Sequence, residues 1–105
     1  MKGFGNLLKQ AQKVQEEMAK IQQGLADKKI EATSGGGMVT GEVNGQQEVL
    51  SMKIEQEVIN PDDKEMLEDL VLSAVNEGLR KARDLIKEEM GKLTGGLNLP
   101  PGLGL

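Results

Sequence analysis

The chain has 105 residues, with 13 Lys and Arg against 17 Asp and Glu, a formal net charge of -4, and neither Cys nor His. A chain of that length forms one domain that buries only about 60 to 65% of the surface it exposes when unfolded, and its acidity rules out a uniformly basic nucleic-acid binder while allowing a locally basic one. Lacking thiols and imidazoles, it has neither the usual nucleophile and general base nor the usual metal ligands, so most catalytic templates and metal centres are excluded.

The N-terminus, Met1-Lys2-Gly3-Phe4-Gly5-Asn6, begins no apolar run of leader or membrane-spanning length, so a cytoplasmic protein without a membrane partner is expected. From Phe4 the apolar positions are Leu7, Ala11, Val14, Met18, Ile21 and Leu25, spaced alternately three and four apart. That is a heptad seam, and with Lys, Gln, Glu and Ala between its positions it predicts a helix over about residues 5–27. So narrow a seam packs on another helix, within the chain or across a dimer. Because Phe4 is the single aromatic, the core must be assembled from aliphatic side chains and Met, which also favours an interface shared between two copies.

The period then changes to two. A short strand near Ile30 to Ser34 leads through Gly35-Gly36-Gly37 into a segment where Asn44-Gly45 fits a two-residue hairpin turn with positive φ at both positions. That turn places Val39 opposite Leu50, with Met52 and Ile54 on the same face, and turns Thr40, Glu42, Gln47, Ser51 and Lys53 towards water. The three glycines suggest a phosphate loop only superficially, since no Lys-Ser or Lys-Thr follows and the next element is a strand.

Asn60-Pro61-Asp62-Asp63 reads as a helix start, with Asn60 as cap, Pro61 in the first position and two carboxylates against the positive end of the helix dipole. The helix is expected to reach about Lys92, and the small residues Ala74, Gly78 and Ala82, four apart, predict close backbone approach to whatever lies beneath. The fold expected is therefore α+β: helix, three-stranded antiparallel sheet, long helix, over residues 1–93. Residues 94–105, punctuated by Gly and Pro, read as a flexible tail.

Charge is unevenly distributed: basic against acidic residues run 6 to 3 over residues 1–29, 2 to 7 over 30–64 and 5 to 7 thereafter. In helical projection at about 100° per residue, Lys2, Lys9, Lys13 and Lys20 form one stripe opposite the seam. Arg80, Arg83 and Lys87 form another on the second helix, flanked by Ser73 and Asn76. These are residue types that meet phosphate oxygens. The competing reading is an ordinary solvated face, with Glu16 among the lysines. Without an aromatic platform for stacking bases, double-stranded DNA is the better nucleic-acid target.

Three blocks, Met-Lys-Gly-Phe-Gly-Asn-Leu-Leu-Lys-Gln-Ala-Gln-Lys at the N-terminus, Gly36-Gly37-Met38-Val39 with Val43-Asn44-Gly45, and Leu67-Glu68-Asp69-Leu70-Val71 with Ala74-Val75-Asn76, give a sequence that resembles the YbaB/EbfC family of bacterial nucleoid-associated proteins. The resemblance implies an α-β-β-β-α chain forming a tweezer-like homodimer that binds DNA through its helical regions, with no cofactor, small-molecule substrate or catalysis. Gly78 departs from the family pattern, which commonly has Ala there. The expected function is a nucleoid-associated, DNA-binding homodimer using Lys2, Lys9, Lys13, Lys20, Arg80, Arg83 and Lys87. The alternative is a protein-interaction adaptor working through the seam and the Leu-rich tail.

Overall fold

The computed structural model describes residues 2–97, and side chains from residue 3 to residue 93. Helix α1 spans Lys2–Ala26, strands β1, β2 and β3 span Lys29–Ser34, Val39–Asn44 and Val49–Ile54, and helix α2 spans Lys64–Leu97. The strands form an antiparallel sheet in the order β1-β2-β3. The α-β-β-β-α fold expected from the sequence is therefore present, and α2 extends past its expected end at Lys92. The rest of the tail lies outside the described residues.

Helix α2 lies across β1 and β2, and the small residues of its inner face explain how closely it does so. Ala74 and Ala82 have no exposed surface, and a Cβ added to Gly78 would stand 3.1 Å from Val43 Cγ1 and 3.7 Å from Ala32 Cβ. Val39, Val58 and Ala74 form the centre of the core, with Met38, Met52, Ile54, Leu67, Leu70 and Val71 packed around it. The start of α2 follows the expected chemistry in two steps. Asn60 Oδ1 accepts from the Asp62 amide at 3.0 Å over a 3-10 turn, Pro61–Asp63, and Asp63 Oδ1 then accepts from the Met66 amide at 3.3 Å where the α-helix begins.

The hairpin differs from its sequence expectation. Val39 pairs with Ile54 rather than Leu50, a slip of four residues along β3, and Leu50 becomes the extra residue of a bulge between Ser51, opposite Glu42, and Val49, opposite Val43. Because the slip is even, Met52 and Ile54 keep the face assigned to them; a slip by one would have turned them outward. Asn44 is the last residue of β2 rather than a turn residue. Its Oδ1 accepts from the amides of Gln46 and Glu48 at 2.9 and 3.0 Å, and the positive φ falls on Gln47, at 65°, not on Asn44 or Gly45.

The physical reason lies in α1. The Gly45 amide donates to the Leu25 carbonyl at 2.8 Å and Gln46 Nε2 donates to the Gln22 carbonyl at 2.8 Å, so the hairpin tip is tied to the last turns of α1. A Cβ on Gly45 would stand 2.6 Å from the Leu25 oxygen. Glycine is therefore required here for close approach rather than for an unusual φ. The β1-β2 connection, by contrast, uses glycine for its dihedrals, since Gly35, Gly36 and Gly37 all have positive φ, and Ser34 Oγ beside them donates to the Leu70 carbonyl at 2.5 Å.

Candidate nucleic-acid interface

Fixed at its C-terminus by the hairpin, α1 runs away from the sheet alongside the C-terminal half of α2. Lys20, Ile21, Gly24, Leu25 and Lys28 of α1 and its following turn line one cleft with Glu89 of α2. The molecule is consequently long, 72 by 24 by 16 Å, with a sheet at one end and a helix pair at the other. The seam confirms the heptad reading where α2 lies beside it: Leu25 is buried, and Ile21, Met18 and Val14 are half-buried. Further out, Ala11 is exposed, and Leu7 and Phe4 are each 63% exposed.

On α1, Lys9, Lys13 and Lys20 are all exposed, with Lys20 3.7 Å from Glu17 and on the rim of the cleft that Glu89 also lines. The side chain of Lys2, the fourth residue of that stripe, lies outside the described residues. On α2, Arg83 and Lys87 are exposed, whereas Arg80 is engaged by two neighbours on its own helix. Arg80 donates through Nε to Glu77 Oε2 at 3.1 Å, through one terminal nitrogen to Glu77 Oε1 at 2.5 Å, and through the other to Asp84 Oδ2 at 2.9 Å. Its hydrogen bonds to Glu77 hold that carboxyl below the usual range for Glu and raise the guanidinium above its own. Two carboxylates thus neutralise a cation that the projection counts in the stripe. The signal was in the sequence: Glu77 and Asp84 stand three residues before and four after Arg80, the spacings at which helical side chains meet.

The two stripes are not brought together. Lys9 and Lys13 lie away from the seam and Lys20 borders the cleft that faces Glu89 of α2, whereas Arg83 and Lys87 lie away from the small-residue face of α2, so the stripes occupy separate faces of the helix pair. Another feature escapes the sequence reading, which leaves Leu72 off the apolar face of α2. Ile54 of β3 with Leu67, Val71, Leu72 and Val75 of α2, bordered by Glu68, lines an open apolar groove of about 490 Å³. Leu72 is 58% exposed, and at the hairpin end of β3 Val49 and Leu50 are exposed as well. Among the described residues no group of His, Cys, Asp or Glu is arranged to hold a metal, and no helix is long and apolar enough to cross a membrane.

Comparison with known proteins agrees with this architecture. A nucleoid-associated protein of Desulfotalea psychrophila is 58% identical over 97 residues, covering 92% of each chain, and one of Syntrophobacter fumaroxidans is 51% identical over 106 aligned positions, covering 97% of this chain and 96% of the relative. Among solved structures, an uncharacterized protein of Helicobacter pylori, HP0035, superposes with a TM-score of 0.65 at 26% identity, over 74% of this chain and 90% of that one. The model of the YbaB/EbfC DNA-binding family matches residues 1–97, and the chain belongs to that family.

Proposed function

We propose that this chain binds duplex DNA as a homodimer, through Lys9, Lys13 and Lys20 of α1 and Arg83 and Lys87 of α2, and thereby helps to organise the nucleoid and regulate genes there. Lys2 extends the first stripe, and Arg80 joins the second only when it leaves Glu77 and Asp84. The observation that carries this reading is a pair of exposed basic stripes on the projecting helices of an otherwise acidic chain of a DNA-binding family. Lys9 to Lys20 spans about 16 Å of helix axis, a length over which duplex DNA presents about nine or ten phosphates. Several phosphates can therefore be met at once. The acidic residues Glu55, Glu57, Asp62, Asp63, Glu65, Glu68 and Asp69 cluster in sequence around the opposite end of α2, where they repel the duplex and steer it towards the helix pair.

Dimerisation has a physical motive in the groove between β3 and α2. A core this thin, built largely of Val and Ala, leaves Ile54, Leu72 and Val75 partly in water, and a second copy laid on that groove would cover them. It would also present each stripe twice, which matters because the stripes of one chain occupy separate faces.

The test is duplex binding across a salt series with molar mass measured in parallel. Replacing Lys9, Lys13 and Lys20 together by Gln should weaken binding and reduce the slope of log affinity against log salt by about 0.9 for each phosphate left without its cation. An unchanged slope in a folded triple variant overturns the assignment to α1.

A further inference from the structure

The seam of α1 continues past its partner. From Glu89 to Leu97, α2 advances about 12 Å, and the same distance back along α1 from the Ile21–Gly24 turn arrives at about Val14. Val14 is half-buried, whereas the seam positions beyond it, Ala11, Leu7 and Phe4, are exposed, with Leu8 beside them 51% exposed. The loss of burial along the seam therefore coincides with the level of Leu97, the last described residue of α2. An apolar strip continues for about 15 Å of helix with nothing covering it among the described residues.

We propose that the chain's own C-terminal segment, residues 98–105, docks on this strip and completes the seam. It begins at the right place, since it follows Leu97 directly. It also has the reach, because eight residues extend to about 26 Å. Its chemistry matches: Gly95 to Leu105 contains no charged residue, and Leu99, Leu103 and Leu105 alternate with Pro and Gly that bar a further helical turn. Docked there, the segment leaves Lys9 and Lys13 open on the far side of α1. It also shields the one aromatic ring of the chain from water.

Absence of Cys makes the test clean. The full chain carrying Ala11→Cys and Gly102→Cys is treated with a short bifunctional maleimide and separated under denaturing conditions. A tether alone already provides an effective concentration of order millimolar, so the decisive comparison is with the same chain also carrying Leu99→Ser, Leu103→Ser and Leu105→Ser. Docking predicts a crosslink within single chains, forming about tenfold faster than in the Ser variant, and amides of residues 4–11 that exchange about tenfold more slowly when the leucines are present. Crosslinks joining two chains, or equal rates and equal exchange with and without the leucines, overturn the proposal. The Ser substitutions leave every residue of the described core unchanged, and circular dichroism of both chains checks that they fold alike.

Discussion

The close approach beneath Gly78 can be tested by a double-mutant cycle. Gly78→Ala adds about 1 kcal/mol of helix propensity. Against that benefit, the new methyl stands 3.1 Å from Val43 Cγ1 and 3.4 Å from Val43 Cγ2, closer than the ordinary carbon contact. Val43 is fully buried between α2 and the sheet and has little room to retreat, so overpacking costs about 1 to 3 kcal/mol. The net effect is from about zero to 2 kcal/mol of destabilisation.

Val43→Ala removes both of those methyl groups and leaves a void, costing about 2 to 3 kcal/mol. In that background, of the three nearest neighbours of a Cβ at position 78, the one that remains is Ala32 Cβ at 3.7 Å, an ordinary van der Waals distance. Gly78→Ala should then stabilise by about 1 kcal/mol, its propensity benefit no longer opposed. The coupling between the two substitutions is therefore favourable by about 1 to 3 kcal/mol. Urea unfolding followed by circular dichroism, at one protein concentration because dimerisation would make stability concentration-dependent, measures all four corners. Additivity within about 0.5 kcal/mol refutes the claim that Gly78 is there to admit Val43.

At the hairpin tip, Gly45→Ala should cost about 2 to 4 kcal/mol by driving Cβ into the Leu25 carbonyl and side chain, and hydrogen exchange should show protection lost first at the C-terminal turn of α1. Glu77→Gln with Asp84→Asn releases Arg80 and should steepen the salt dependence of DNA binding by about 0.9 for each further phosphate neutralised; an unchanged slope means that Arg80 does not face the duplex. Because Arg80 depresses the Glu77 pKa, the pair stabilises the fold above the ordinary Glu range and loses that contribution only as pH falls through the depressed value. With no His or Cys in the chain, DNA affinity at fixed salt should be flat between about pH 6 and 8. Leu72→Glu should halve the molar mass by charging the apolar groove, and a dimer that persists places the interface elsewhere.

The sequence carried local and periodic information well and pairings between distant segments poorly, and the hairpin shows why. Alternation gave the right face for Met52 and Ile54, because parity survives an even slip, but not for Leu50, which the bulge takes out of the ladder and leaves exposed while Val49 stands opposite Val43. Register rested on Asn44-Gly45 as a turn signal, and that signal lost to the hydrogen bonds from Gly45 and Gln46 to α1. No local rule announces that a loop will meet a helix end some twenty residues earlier. Gly78 was legible because Ala74 and Ala82 surround it at helical spacing, so the pattern itself described a flat surface. The stripes were legible as positions and illegible as a joint surface, since projection on one helix says nothing of how two helices turn relative to each other.

That geometry constrains how DNA can be held. If the helix pair presents the lysines of α1 and the pair Arg83 and Lys87 on separate faces, a single chain offers one duplex only one stripe, at most the four cations of Lys2, Lys9, Lys13 and Lys20. Counterion release makes so few phosphate pairings weak at physiological salt, whereas about six or more give useful affinity with a steep salt dependence. Binding and dimerisation are then linked, because the second copy supplies the missing cations, and a variant that separates the protomers should lose both affinity and slope without touching a single Lys or Arg. Leu72→Glu is such a variant, about a dozen residues from the basic stripe of its own helix. A monomeric Leu72→Glu protein that keeps the parent salt slope would show that one stripe suffices, and the requirement for a dimer would fall with it.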